Sequence, residues 1–349
     1  MTTPSTKPAG STRRRYVLLI GALVLVAAGW SAAWFYGRSE LAGQIDLQLA
    51  GLSRQGFEVS CQDLSIAGYP FRYEVRCHDV VSSNKAGATG TLGTLTAVAL
   101  IYNPWHVIFE AGGPARLTDP LQGLAGDFGW ESARASLKMS EGSLGALDAV
   151  VSKPDAVIEG PYSAGLFAAD KAEVHLREAP NLPGALESFL SLTALKLKSL
   201  PDLKETVSLR AQSRITGGMG LFAGANTAQL VQANDGELPV ELVLFEATLG
   251  ESRVNAAGDL VVSGDGMLSG TLDLTVGNAD ALLETLKPLF PPQDSSLALL
   301  DGVLKSLEPS AQEIDGVSTI ALPVQIDHGL VRIGLLPLGQ IPPLFQAGT

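Results

Sequence analysis

ELPVELVLFEATLGESRVNAAGDLVVSGDGMLSGTLDLTVG, residues 237–277, is the stretch that decides the fold. Apolar and polar residues alternate along it in three runs, jointed at Gly250 and at Gly264-Asp265-Gly266. A period of two sorts side chains onto the two faces of a strand, and glycine at the joints permits tight turns. The stretch therefore predicts an antiparallel meander. The same alternation extends to both sides. Upstream, TGTLGTLTAVALIYNPWHVIFEAGG (89–113) reads as two strands divided at Pro104, and strand-like runs follow at 128–140, 147–160 and 167–179. NLPGALESFLSLTALKLKSLP (181–201) is ambiguous: its first half suits a helix, whereas LTALKLKSL alternates like a strand. Thr227–Ala233 is a short helix candidate between Gly-rich turns. Downstream, ADALLETLKPLF (279–290) and SSLALLDGVLKSL (295–307) predict two helices about a PPQD turn, and residues 316–338 predict a closing hairpin.

The composition agrees. Of 349 residues 46% are hydrophobic but only 6% aromatic, and 38 glycines and 20 prolines favour short strands and turns over a helical bundle. The expected fold class is mainly β (β-rich α+β), with long antiparallel meander sheets, flat or curved, and a few helices. One body over residues 57–349 is expected, with two lobes dividing near 180–205 as the alternative.

Both cysteines lie in CQDLSIAGYPFRYEVRC, residues 61–77. Phe57, Val59 and Cys61 alternate, as do Phe71, Tyr73, Val75 and Cys77, so the segment reads as a hairpin about Gly68-Tyr69-Pro70. Folding it about Tyr69 places Cys61 opposite Cys77, unless a bulge near Asp63-Leu64 shifts the register. A metal site would need more ligands than the segment offers, because His78 points away from Cys77. A redox pair would want the close spacing of CxxC. A structural disulfide between Cys61 and Cys77 is the simplest reading.

Residues 16–36, YVLLIGALVLVAAGWSAAWFY, are uncharged, and at about 1.5 Å per residue they cover the roughly 30 Å hydrocarbon layer of a bilayer. Arg13, Arg14 and Arg15 precede them, and Trp30, Trp34 and Tyr36 cluster at the far end. Basic residues prefer the cytoplasmic side and aromatics the interface. The expectation is a cytoplasmic basic tail (1–15), a single inner-membrane anchor (16–36), a helical stalk (37–56) ending at Gly56, and a periplasmic remainder. A cleaved signal peptide is the competing reading, and it exports the same body. Taking the four bases of residues 1–15 from the total of 24 leaves 20 against 36 acids, a formal net charge of −16 for the rest. That charge disfavours nucleic acid and anionic membrane as partners, because both would repel it.

Motifs that would carry a reaction are missing. The four histidines are scattered, with no HExxH spacing. GGMGLFAG (217–224) and GDGMLSG (264–270) have the wrong spacing for a dinucleotide loop and no βαβ unit around them. His175, in HLRE, is expected to be a surface or ion-paired residue. No catalytic residue, metal or cofactor is assigned, and the chain is not expected to be an enzyme.

The stalk, the turn Gly68-Tyr69-Pro70-Phe71-Arg72 and the YNPWHVI stretch (102–108) together resemble DUF2125, a family of membrane-anchored Gram-negative envelope proteins. Its closing motif is matched by Gly334, Pro337, Leu338, Gly339 and Pro342, while His328 stands where an acidic or turn residue is usual. Residues 258–286 also look like strand units of AsmA-like envelope proteins. The DUF2125 resemblance implies an anchored β-rich periplasmic domain and no catalytic residues. Two non-enzymatic roles are then in view, a scaffold or adaptor contacting another envelope protein, or a groove in the sheet for lipid or another hydrophobic ligand; a periplasmic hydrolase comes third.

Overall fold

The structure, a computed structural model, describes residues 11–345 apart from 141–142, 162–163, 202, 288–294, 315 and 335. The predicted PPQD turn lies outside the described residues, as do residues 1–10 of the basic tail. Helix α1 (Ser11–Gln55) runs unbroken through the predicted anchor and stalk and stops before Gly56. Strands β1 (Phe57–Ala67), β2 (Arg72–Asn84), β3 (Thr89–Leu100) and β4 (Asn103–Asp119) then pair in sequence as hairpins. Pro104 does not divide the strands as expected. The turn falls at Ile101-Tyr102, and Pro104 is the second residue of β4.

Six segments follow as three interrupted strands: β5 (Leu124–Gly129) with β6 (Ser132–Ser140), β7 (Ser143–Ser152) with β8 (Asp155–Glu159), and β9 (Gly165–Ala168) with β10 (Lys171–Glu178). One half of the sheet is paired β4–β6–β7–β10–β11 and the other β4–β5–β8–β9–β11, so β11 (Leu186–Leu197) closes both tracks. The meander continues through β12 (Val207–Ile215), helix α2 (Thr227–Ala233), and β13 (Glu237–Leu249), β14 (Ser252–Ser263) and β15 (Leu268–Gly277). After helices α3 (Ala279–Leu286) and α4 (Ser295–Leu307) come β16 (Gln312–Ile314), β17 (Val317–Asp327), β18 (Leu330–Ile333) and β19 (Leu336–Gln340). The helical reading of 181–201 is overturned. Leu186–Leu197 pairs with β10 and β12, and cross-strand partners outweigh the helix propensity of ALESFL.

The interruptions line up across eight strands and form a crease. Asp79 (φ 48°), Lys153 (φ 46°) and Ala194 (φ 52°) take left-handed backbone there, and Pro154 has no N–H to give the ladder. Hydrogen bonds bridge the line, from Lys153 N–H to Asp170 O (2.9 Å) and from Ala169 N–H to Pro154 O (2.9 Å), so the sheet bends without separating. At Gly93 a Cβ would stand 2.8 Å from Gly113 O and 3.1 Å from Gly112 O, so β3 can press onto β4 only as glycine. Trp130 fills the bend and donates its indole N–H to Ala111 O at 2.8 Å.

The disulfide crosses this crease. Cys61 is paired with Val80 and Cys77 with Leu64, because the turn is centred after Pro70 rather than at Tyr69. The expected face-to-face placement of the cysteines is therefore corrected. Three residues along a flat ladder amount to about 10 Å, yet the Cys61 and Cys77 Cα atoms are 5.7 Å apart and bonded through sulfur. Only a sharp bend brings them together.

Buried apolar side chains concentrate at the C-terminal end. Leu283 of α3 and Leu304 of α4 pack on Val276, Ile320 and Leu322, and Leu230 and Val231 of α2 pack on Leu238 and Val262. Two measurements test this description. Cys61→Ser/Cys77→Ser should lose about 2–4 kcal/mol in urea titration of the full chain in detergent. Gly93→Ala should cost about 1–3 kcal/mol by overpacking, and an unchanged midpoint would contradict the close approach at the crease.

Candidate functional site

Residues paired across an antiparallel ladder share a face, so a row can be followed from strand to strand. One row reads Cys77, Leu95, Ala111, Ala133, Val151, Ala172, Leu192, Leu209, Ala247, Val254, Val276 and Ile320, apolar at every step from β2 to β17. A second, two residues along each strand, runs from Val75 through Phe109, Val174 and Leu190 to Leu322 and is likewise apolar throughout. The row between them points the other way and is mostly charged or polar, with Glu110 and Arg134 3.6 Å apart and Arg210 paired to Glu246. The sheet thus has one apolar face and one polar face over its whole width.

Helices cover only the ends of the apolar face. α1 runs along β1, α2 packs on β13, and α3 packs on β14 and β17. From β3 to β12 no member of the two apolar rows is buried, and Leu190 remains 47% exposed. At roughly 4.8 Å per strand this open stretch with its β2 border is about 34 Å wide. Within the crease a cavity of about 310 Å³ takes Ala156, Ile158, Phe167 and Leu195 from one half of the sheet and Ala172 and Leu192 from the other. The exposed surface of the cavity wall is apolar. Asp155 stands among the lining residues, but the exposed wall itself can hold alkyl or aromatic matter.

The polar face carries a second hollow of about 300 Å³, lined by Asp148, His175, Arg177, Glu187, Phe189 and Gln212. His175 Nδ1 is 2.8 Å from Asp148 Oδ1, and the Arg177 guanidinium donates to Glu187. Its lining has ion pairs but no serine, cysteine or threonine that the histidine could activate. Among the described residues no group of three or more His, Cys, Asp or Glu is arranged to hold a metal ion.

The predicted turn motif sits where α1 meets the sheet. Gly68 has φ 102° and accepts a hydrogen bond at its carbonyl from Arg72 N–H (3.1 Å). The Trp30 indole N–H donates to Pro70 O at 2.9 Å and that of Trp34 to Arg72 O at 3.1 Å. The Tyr73 hydroxyl donates to Trp34 O, its ring stacks on Trp34 at 5.6 Å between centroids, and Tyr69 meets Trp34 edge-on. Trp34 is only 4% exposed. The two tryptophans at the end of the apolar run also form the joint between helix and hairpin, because their N–H groups reach carbonyls of the turn.

The C-terminal motif closes the sheet. Gly334 turns between β18 and β19, Pro337 faces Arg332 and Gly339 faces Val331. Beyond Pro342 the tail returns to the β14–β15 turn through Leu344 N–H to Gly266 O at 2.9 Å. Leu338 is exposed. Neither sequence motif contributes to the crease cavity, whose residues were not singled out in the sequence. Their signal was the alternation itself, which names a site only after all the strands are registered.

These features define a β-sheet protein with one open apolar face, joined to a helix long and apolar enough to cross a membrane, the one such helix among the described residues. The chain belongs to the family described as "uncharacterized protein conserved in bacteria (DUF2125)", whose family model matches residues 34–342. The matched region takes in Trp34 with its partners in the turn, the crease and the closing strands. No curated protein matches the chain.

The cavity's character is testable with a solvatochromic apolar dye. Leu192→Asp should abolish dye fluorescence enhancement by the full chain while leaving far-UV circular dichroism unchanged, because the side chain lies at an open surface. Arg210→Ala, on the opposite face, should leave dye binding intact.

Proposed function

We propose that the protein is a membrane-anchored, non-enzymatic lipid-binding protein whose open apolar face holds acyl chains. The carrying observation is the pair of apolar rows, uncovered from β3 to β12 and hollowed at the crease. Contiguous exposed apolar surface of this extent marks a binding surface, since leaving it in water is costly. Acyl chains suit it better than a protein segment does. The uncovered rows offer many equivalent apolar contacts and few polar anchors, which fits a ligand without sequence. Lipid binding is therefore placed ahead of the scaffold or adaptor role. In this reading the arginines at 13–15 stay in the cytoplasm and the sheet stands on the far side of the inner membrane, where a Cys61–Cys77 disulfide persists. The acidic body outside the basic tail and anchor makes nucleic acid an unsuitable partner.

The experiment is native mass spectrometry of the full chain released from mild detergent, with extracted lipids identified afterwards. Wild type should carry phospholipid-sized adducts, and Leu192→Asp with Val151→Asp should lose them while Arg210→Ala keeps them. Equal adducts on all three proteins, or none on wild type, would remove the acyl-binding role.

A further inference from the structure

We propose that the β1–β2 and β3–β4 turns are seated in the bilayer, so that the apolar face opens directly into the membrane and its acyl ligands arrive sideways from the leaflet. This rests on the lipid-binding role for what the opening is for, while the seating stands on geometry of its own.

The first observation is a length. With Arg15 at one surface, Trp30 lies about 22 Å further along the helix axis, inside a hydrocarbon layer of roughly 30 Å. Yet the Trp30 indole N–H is bonded to Pro70 O (2.9 Å), its ring is 6.4 Å from that of Phe71, and Ser31 Oγ is 2.8 Å from the Tyr69 hydroxyl. A helix that spans with residues 16–36 therefore carries the tip of the first hairpin down to the depth of the outer leaflet. Keeping that tip in water would pull the last apolar turns of the span out with it.

The second observation is what the tips expose. Phe71 is 63% exposed, Tyr102 76% and Trp105 59%. The β3–β4 turn is at the same end of the sheet as the β1–β2 turn, with Ile101 N–H bonded to Phe71 O at 3.1 Å. Tyrosine and tryptophan with one apolar and one polar part prefer the interfacial region. The side chains at this rim also continue the apolar face: Phe71 is two residues before Tyr73, and Trp105 two before Val107, which share a row through Ala99. The apolar face thus meets the membrane at Phe71 and Trp105, without a polar sill along those strands.

The two turn ends give a matched test. Tyr102→Cys and Leu121→Cys alter residues of equal exposure, 76% and 77%, on turns at opposite ends of the sheet. The native cysteines are bonded to each other and do not react with the label. Full-length protein carrying an environment-sensitive fluorophore at either position is reconstituted into phosphatidylcholine vesicles containing nitroxide-labelled lipid. The label at 102 should be blue-shifted and quenched several-fold more than the label at 121. Equal quenching at both positions, or none at 102, overturns the seating. Adding Leu192→Asp should leave quenching at 102 unchanged, so loss of the acyl site alone is told apart from loss of the seating. Phe71→Ser with Trp105→Ser should reduce co-purified lipid several-fold with the crease untouched, and undiminished lipid would overturn sideways loading.

Discussion

The constraint on which the rest depends is register. Each strand alternates, as many strands do, but an antiparallel ladder keeps paired residues on one face, and here the pairing preserves the phase through twelve strands from β2 to β17. A slip of one residue anywhere would turn every later apolar side chain to the polar face. Ion pairs on the opposite side oppose such a slip. Glu110 with Arg134 and Arg210 with Glu246 meet only in the native register, each contributing little alone at these exposed positions.

Covering that face only in part is what separates this architecture from an ordinary sandwich. A second sheet would bury it. Here three short helices cover the C-terminal end, where buried Leu304, Ile320 and Leu322 supply a compact core, and the remainder stays open. The C-terminal part therefore provides the stable core and the N-terminal part provides the accessible surface. The crease deepens that surface without breaking the hydrogen-bond ladder, and the disulfide fixes it at the end nearest the helix.

Much of the architecture was legible in the sequence. Runs punctuated by glycine gave the three strands of 237–277, and a segment between Gly-rich turns gave α2 at Thr227–Ala233. What could not be read were departures from regularity. Ala194 takes left-handed backbone inside LTALKLK, where no residue type announces it, while Gly93, Gly112-Gly113 and Lys153-Pro154 carry local signals of a kink. The docking role of the tryptophans was not legible because an apolar helix end and a docking joint use the same residues; the bonds to Pro70 O and Arg72 O reveal it only in the fold. The site was the least legible part, since Ala156, Ala172 and Leu192 come together only when the sheet bends.

A sheet this wide has two rims, and an unguarded rim invites another chain to add itself as the next strand. One rim is shielded by α1 lying along β1. At the other, β19 is five residues long, fully exposed, and interrupted by Pro337, whose nitrogen has no hydrogen to offer a newcomer. The closing motif thus leaves a short, proline-broken border that is a poor template for a further strand.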